Sequence, residues 1–301
     1  MKLNGTTIAS RIYENLEKRV SQLQRKGIQP FLNVLLVGED PASESYVHQK
    51  KKRGEEIGAT VDVLVFPTNV SERELVIRIK ELNRNPKVHG IIVQRPLPIH
   101  IDEQVIDEAV LPEKDVDGFQ SESPYQEPIA QSVDVLLKEA LKEIAAKPQH
   151  QDQISLNIQD YAGLHDYIER EYKAWIQQKN IVVIGKGKTG GTPIINYFKG
   201  LNVAPTIIDS KTANPSDITK KADIIISTVG KPNVVTKDMI KKGVILIAIG
   251  MYKGEDGKLH GDYNEEEVEG IAEVYTGVPG GVGPVNVAML LSNLIDAAEK
   301  F

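Results

Sequence analysis

The stretch Ile181-Val182-Val183-Ile184-Gly185-Lys186-Gly187-Lys188-Thr189-Gly190 decides the fold. Four β-branched residues suit a buried strand, and G-x-G-x-x-G follows at once. The glycines permit a tight turn and let a pyrophosphate approach a helix N-terminus, where free N–H groups point at it. Asp209 closes the next apolar run, about twenty residues on, where a carboxylate would hold the ribose hydroxyls of NAD and repel a 2′-phosphate. Lys186 and Lys188 in the glycine stretch and Lys211 just after the acid put positive charge close to the ribose end, which would partly offset Asp209. The expected dinucleotide-binding residues are therefore Gly185, Lys186, Gly187, Lys188, Thr189, Gly190 and Asp209, with NAD slightly favoured over NADP. The bland alternative, a glycine turn with an idle acid, does not account for strand, turn, helix and acid in this order.

Outward from this stretch, the second half holds further short apolar runs at residues 204–208, 223–227 and 244–249, with helical segments between them. A last amphipathic segment spans 285–299. The first half alternates in the same way. Residues Ile8, Ile12, Leu16, Val20 and Leu23 recur at helical spacing, and Gly27 stops that helix. Strands are expected at 31–37, 60–66 and 90–94, with helices after Asp40-Pro41 and from about Ser71. Strand–helix alternation implies parallel sheets covered by helices. The fold class is α/β: two α/β domains flanking a cleft, the second a Rossmann-type dinucleotide-binding domain. The boundaries read as 1–144, with the C-terminal helix 285–301 packing back on it, then an inserted polar-helical segment 145–178, then 179–284.

Composition narrows the function. At 301 residues two domains can each bury a core. A net charge of −6 and a pI near 5.6 argue against nucleic-acid binding and against adhesion to an anionic membrane. No apolar run reaches the length of a membrane span, and the first residues lack the apolar core of a signal peptide. The absence of cysteine excludes thiolate nucleophiles and cysteine zinc sites, and the six histidines show no paired metal spacing, so no metal is expected. A cytoplasmic enzyme or binding protein is the expectation.

Four stretches of the chain carry candidate chemistry. In Tyr46-Val47-His48-Gln49-Lys50, a phenol and an amine four residues apart share one helix face. Lys51, Lys52 and Arg53 follow, and like charges disfavour protonation of a lysine, which suits it to acid/base work near neutrality. A solvated helix face is the plain alternative for this run. Gln94 ends a strand at Gln94-Arg95-Pro96-Leu97-Pro98, Lys114-Asp115-Val116-Asp117-Gly118-Phe119 sets two acids before a glycine, and residues 277–284 form a glycine-proline loop.

Together these stretches resemble the bifunctional methylenetetrahydrofolate dehydrogenase/cyclohydrolase family, known in bacteria as FolD. The matching residues run from Val37-Gly38-Glu39-Asp40-Pro41-Ala42-Ser43 with Tyr46 and Lys50, through 90–98 and 114–119. They continue through the glycine fingerprint, 222–232, Gly261-Asp262 and 278–284. The resemblance implies oxidation of 5,10-methylenetetrahydrofolate with NAD or NADP, then hydrolysis to 10-formyltetrahydrofolate. It makes Lys50 the acid/base group of the hydrolytic step, Tyr46 a pterin-packing residue, Gln94 the group that orients Lys50, and Asp117 the pterin ligand. Pro279, Gly280 and Gly281 would approach the folate, and Val229 and Gly230 the cofactor. A homodimer is implied by resemblance alone. The chain also departs from the family's pattern. Gly185-Lys186-Gly187 stands where Gly-Arg-Ser is usual, Ile208-Asp209 where Cys-His is common, and Ala248 in place of a strand-end aspartate. These changes lean toward NAD, and they raise two alternatives: a cyclohydrolase with weak or absent dehydrogenase activity, and a silent folate- or nucleotide-binding paralogue.

Overall fold

The structure, a computed structural model, describes residues 1–147 and 161–300. The first half contains β1 (Lys2–Leu3), α1 (Gly5–Arg25), β2 (Phe31–Val37), α2 (Pro41–Glu56), β3 (Thr60–Phe66), α3 (Glu72–Arg84), β4 (Gly90–Val93), α4 (Glu103–Ala109) and α5 (Pro128–Ala145). There follow α6 (Tyr161–Gln177), β5 (Ile181–Ile184), α7 (Gly191–Gly200), β6 (Thr206–Ile208), α8 (Pro215–Thr219), β7 (Ile224–Ser227) and β8 (Ile245–Ala248). The last elements are β9 (Met251–Lys253), β10 (Leu259–Gly261), α9 (Glu265–Val268), β11 (Val274–Thr276) and α10 (Val282–Ala298). Among the described residues no helix is long and apolar enough to cross a membrane.

Two compact units result, one of residues 8–128 with 286–301 and one of residues 1–7 with 129–285. In the first, a parallel sheet runs β3-β2-β4. The strand period of two sends Leu32, Val34 and Leu36 into a core with Leu16, Val20 and Leu23 of α1 and with Leu290, Leu291 and Leu294 of α10. Leu35 and Val37 face the other way, onto Leu75, Ile79 and Leu82 of α3 and Ile106 of α4. The apolar stripe of α10 is what draws the end of the chain into the first-half core. β3 and β4 lie on opposite sides of β2, so the turns after β2 and β4 stand at a switch point of the strand order, where sheets of this kind place their ligands.

The second unit has a parallel sheet in the order β1-β11-β8-β7-β5-β6, and β9 and β10 form a separate antiparallel pair. Its strand order reverses beside β5, between β6 and β7, which is the dinucleotide position of doubly wound sheets. Val182, Ile184, Ile225 and Leu246 build its core.

Two features differ from the sequence reading. Helix α5, placed there in the first domain, groups with the second sheet. Its Asp134 accepts from Tyr197 Oη of α7 at 2.6 Å, and that hydroxyl lies 2.8 Å from Tyr172 Oη of α6. The later part of the segment read as an insertion is helical, as its spacing indicates, but it is packed, with Ile168, Tyr172 and Ile176 buried. Polarity between 149 and 153 obscured this, and Gln149-His150-Gln151-Asp152-Gln153 lies outside the described residues.

Candidate active site

Tyr46, Lys50, Gln94 and Asp117 all belong to the first unit. Helix α2 starts as its sequence dictates: Asp40 caps it by accepting from the Ser43 amide at 2.8 Å, and Pro41 follows at the first helical position. Its buried residues are Ser43, Val47, Lys50 and Gly54, a stripe at helical spacing. Lys50 is therefore a core-facing residue, only 7% exposed. Tyr46, one turn earlier, is half-buried, and burial pushes its phenol up.

Lys50 Nζ donates to Gln94 Oε1 at 3.0 Å. Gln94 itself extends the ladder of β4, its amide donating to the Leu35 carbonyl at 2.8 Å. Its side-chain Nε2 donates to the Arg95 carbonyl at 2.8 Å. That carbonyl can only accept, so Nε2 must face it and Oε1 is left for Lys50. Burial pulls the Lys50 amine below its ordinary pKa, and the charge of Asp117 acts in the opposite direction.

The neighbouring cations do not cause this shift, contrary to the sequence expectation. Lys51 and Lys52 are exposed and lie 3.8 and 4.0 Å from Glu55 and Glu56, and Arg53 pairs with Glu56 at 2.6 Å. They form a solvated helix face, while Lys50 points inward.

Asp117 sits on a turn built by Asp115, whose carboxylate accepts from the amides of Gly118 at 3.1 Å and Gln120 at 2.8 Å. Burial, with the charge of Asp117 adding to it, pushes Asp115 up to about 7 despite these bonds. Asn293 of α10 donates to the carbonyls of Val116 at 2.9 Å and Gln126 at 3.0 Å, bracing the same segment.

The second unit carries the glycine loop. Gly185 adopts a φ of +95°, and a Cβ on Gly191 would lie 2.0 Å from the Gly185 carbonyl oxygen. Close helix–strand packing, the task of the fingerprint's third glycine, thus falls to Gly191 rather than Gly190, which is the N-cap of α7. A Cβ on Gly187 meets nothing within 4 Å, so a diphosphate has room there. Lys186 Nζ pairs with Asp209 Oδ2 at 2.8 Å, and Asp209 Oδ1 accepts from the Lys211 amide at 2.9 Å. The Lys186 bond and then the Lys211 amide hold Asp209 down at about 2.

The amides of Val229, Gly230 and Lys231 all donate to the buried Asp262 carboxylate, at 3.0, 2.7 and 3.0 Å, and Ser227 Oγ donates at 2.5 Å. Val229 and Gly230 therefore have their N–H groups engaged within the protein. Pro279 precedes and Gly280 and Gly281 complete the turn from β11 into α10, in residues 129–285 rather than with Lys50. Arg95, Asp115 and Asp262 lie within the motif stretches, yet their spacing assigns them no role. A charged residue set between a strand end and a proline, or after a glycine in a short strand, is the signal that was available.

Two family descriptions match this chain: tetrahydrofolate dehydrogenase/cyclohydrolase, catalytic domain, over residues 3–117, and the NAD(P)-binding domain of the same family, over residues 162–301. A bifunctional protein FolD of Nautilia profundicola is 40% identical over 304 residues, covering 99% of this chain and 97% of the relative. The chain belongs to the tetrahydrofolate dehydrogenase/cyclohydrolase family. A FolD of Ligilactobacillus salivarius is 37% identical over 298 residues, covering 99% and 96% of the two chains. The crystal structure of the bifunctional FolD enzyme of Campylobacter jejuni matches with a TM-score of 0.81 at 32% identity, covering 100% and 99%. The family's NAD(P)-binding domain includes residues 162–178, so α6 belongs to it.

Proposed function

We propose that the protein oxidises 5,10-methylenetetrahydrofolate to the methenyl form with a nicotinamide dinucleotide and hydrolyses that product to 10-formyltetrahydrofolate. The observation that carries the hydrolytic half is the buried Lys50 amine, held by Gln94 and shifted toward its neutral form. Water adding to the methenyl carbon yields the formyl group and one proton, and a neutral amine can take that proton. The methenyl substrate is a cation, so a protonated lysine beside it is disfavoured, which favours the basic form at the outset. Gln94 Oε1 occupies one Lys50 N–H and so directs the remaining amine valences. Asp117 would pair with the pterin's amino and ring nitrogens, a charge-assisted match, and Tyr46 would pack on the ring.

The oxidative half rests on the residues around Gly187. Open space at Gly187, tight packing at Gly191 and the acid at Asp209 fit a dinucleotide. When bound, the nicotinamide supplies the hydride acceptor. The FolD of Trypanosoma brucei, 27% identical with a TM-score of 0.77 and covering 100% and 97%, was crystallised with an NADP cofactor and inhibitor. For this chain we favour NAD, because the Asp209 carboxylate would repel a 2′-phosphate even though Lys186 offsets it. A homodimer and a cytoplasmic location belong to the same proposal, the first testable by light scattering.

The deciding assay supplies methylenetetrahydrofolate with NAD or NADP, and separately methenyltetrahydrofolate alone. Cofactor reduction with the first and loss of the second support the bifunctional reading. Loss of the methenyl form without reduction would leave only the hydrolytic half, and silence in both would refute catalysis.

A further inference from the structure

Arg95 lies at the centre of a partly buried ionic cluster that no catalytic step uses. Its guanidinium is 9% exposed and ion-paired with both Glu103 and Asp107 of α4. The Phe119 ring covers it, with Cζ 4.5 Å from the ring centroid. A planar guanidinium suits this setting, because its fork offers separate nitrogens to two carboxylates while one face stacks on an aromatic ring. Helix α4 has only seven residues, too few to hold its shape by helix formation alone. The cluster therefore ties α4, the end of β4 and the loop of Asp117 into one body.

The backbone of the same residue reaches the active amine. The Arg95 carbonyl accepts from Gln94 Nε2 at 2.8 Å and from Ser43 Oγ of α2 at 3.3 Å. Gln94 Oε1 then meets Lys50 Nζ at 3.0 Å. The terminal torsion of a glutamine is broad and roughly two-fold. Without a fixed acceptor on one side, the amide would turn its NH₂ toward Lys50 for part of the time.

We propose that Arg95 is a positioning residue for the Lys50 amine: anchored to α4 and Phe119, it holds the carbonyl that keeps Gln94 Oε1 turned toward Lys50. This rests on the reading of Lys50 as the acid/base group. Arg95 touches neither substrate nor reacting atoms, and it acts through Gln94.

A double-mutant cycle tests the proposal. Replacing Arg95 alone would take the cation from the Asp107 carboxylate, whose side chain is 10% exposed, and from the more exposed Glu103, and an uncompensated charge at Asp107 is destabilising. The cluster is therefore removed in charge balance, as Arg95→Leu with Glu103→Gln and Asp107→Asn. Methenyltetrahydrofolate hydrolysis is measured for the wild type, this triple variant, Gln94→Ala and the combination, with Lys50→Met as reference. The triple variant should lower kcat about tenfold, the upper scale of one ordinary hydrogen bond, with KM within about threefold. On the Gln94→Ala background the triple substitution should change kcat by less than about twofold, because both routes pass through one amide. If the triple variant does not fold, Arg95→Lys, which keeps a cation but loses the fork and the stacking, enters the same cycle with about a threefold loss expected. Wild-type kcat in the folded variant, or an effect that multiplies in full on Gln94→Ala, overturns the proposal. Wild-type hydrolysis by Lys50→Met would instead overturn the reading of the site beneath it.

Discussion

Alanine at Gly191 and alanine at Gly187 should separate folding from cofactor binding in a single loop. A Cβ on Gly191 would lie 2.0 Å from the Gly185 carbonyl oxygen, 2.7 Å from its carbon and 2.8 Å from Lys186 Cα. All three are backbone atoms, so no side chain can rotate away, and ordinary carbon contacts need about 3.5 Å or more. The junction of β5 and α7 would have to open. Overpacking of this kind costs about 1–3 kcal/mol, and rigid neighbours place this case at the upper end. For a unit of this size that corresponds to a fall of roughly 6–12 °C in Tm. Gly187 is the opposite case, with nothing within 4 Å of an added Cβ and a φ outside the left-handed region. Its alanine variant should keep stability within about 0.5 kcal/mol. The methyl would, however, fill the space through which a diphosphate approaches, and a loss of about 1.4 kcal/mol there is tenfold in affinity. Thermal unfolding and calorimetric titration with NAD and NADP measure both effects. Wild-type cofactor affinity in Gly187→Ala, or wild-type stability in Gly191→Ala, would refute the assignment of the two positions.

Other consequences concern three carboxylates. Asp262→Ala leaves three amides and the Ser227 hydroxyl without their common acceptor, so urea unfolding should show a loss of about 3 kcal/mol or more. Asp262→Asn, which keeps one acceptor oxygen, should fall between. Asp115, pushed up to about 7, binds its proton more tightly folded than unfolded. Its contribution is therefore full below about pH 4 and lost as pH rises through about 7. The difference in stability between wild type and Asp115→Asn should change across that window by on the order of 4 kcal/mol, and parallel stability curves would contradict the shift. Asp209→Ala should weaken NAD binding while leaving NADP binding equal or tighter, measured by titration; equal losses for both would remove Asp209 from cofactor choice.

Much of the fold could be read from local pattern because its strands are short, apolar and bounded by glycine. Residues 31–37 and 60–66 form strands at the expected positions, and Ser71 caps α3 with a reciprocal bond to Glu74. Shorter elements escaped notice. β1 has two residues and β11 three; β1 is a strand only because it pairs with β11, and β11 because it pairs with β1 and β8. No local propensity marks them. Helix α5 has a clear apolar stripe, yet its unit depends on contacts to α6 and α7 that spacing does not disclose. At the site, the pairing of Lys50 with Gln94 was anticipated, but the cause of the lysine's shift was not. Charges adjacent in sequence pointed to Lys51, Lys52 and Arg53, whereas the helical period turns those outward and Lys50 inward. Asp115 and Asp262 were hidden for a related reason, because each acts on backbone amides, and Arg95 because its partners Glu103 and Asp107 lie on another element, neither of which a sequence displays.

Hydrolysis of methenyltetrahydrofolate by Lys50→Met, followed against pH beside the wild type, tests the central claim most directly. Methionine keeps much of the stem's volume and removes the amine from its place beside Gln94 Oε1. The wild-type rate should rise with pH through a lysine pKa lying below its ordinary range, as burial requires. The variant should fold, lose hydrolysis by at least about a hundredfold and lose that pH limb. Hydrolysis at the wild-type rate with the same pH profile would contradict the assignment of Lys50.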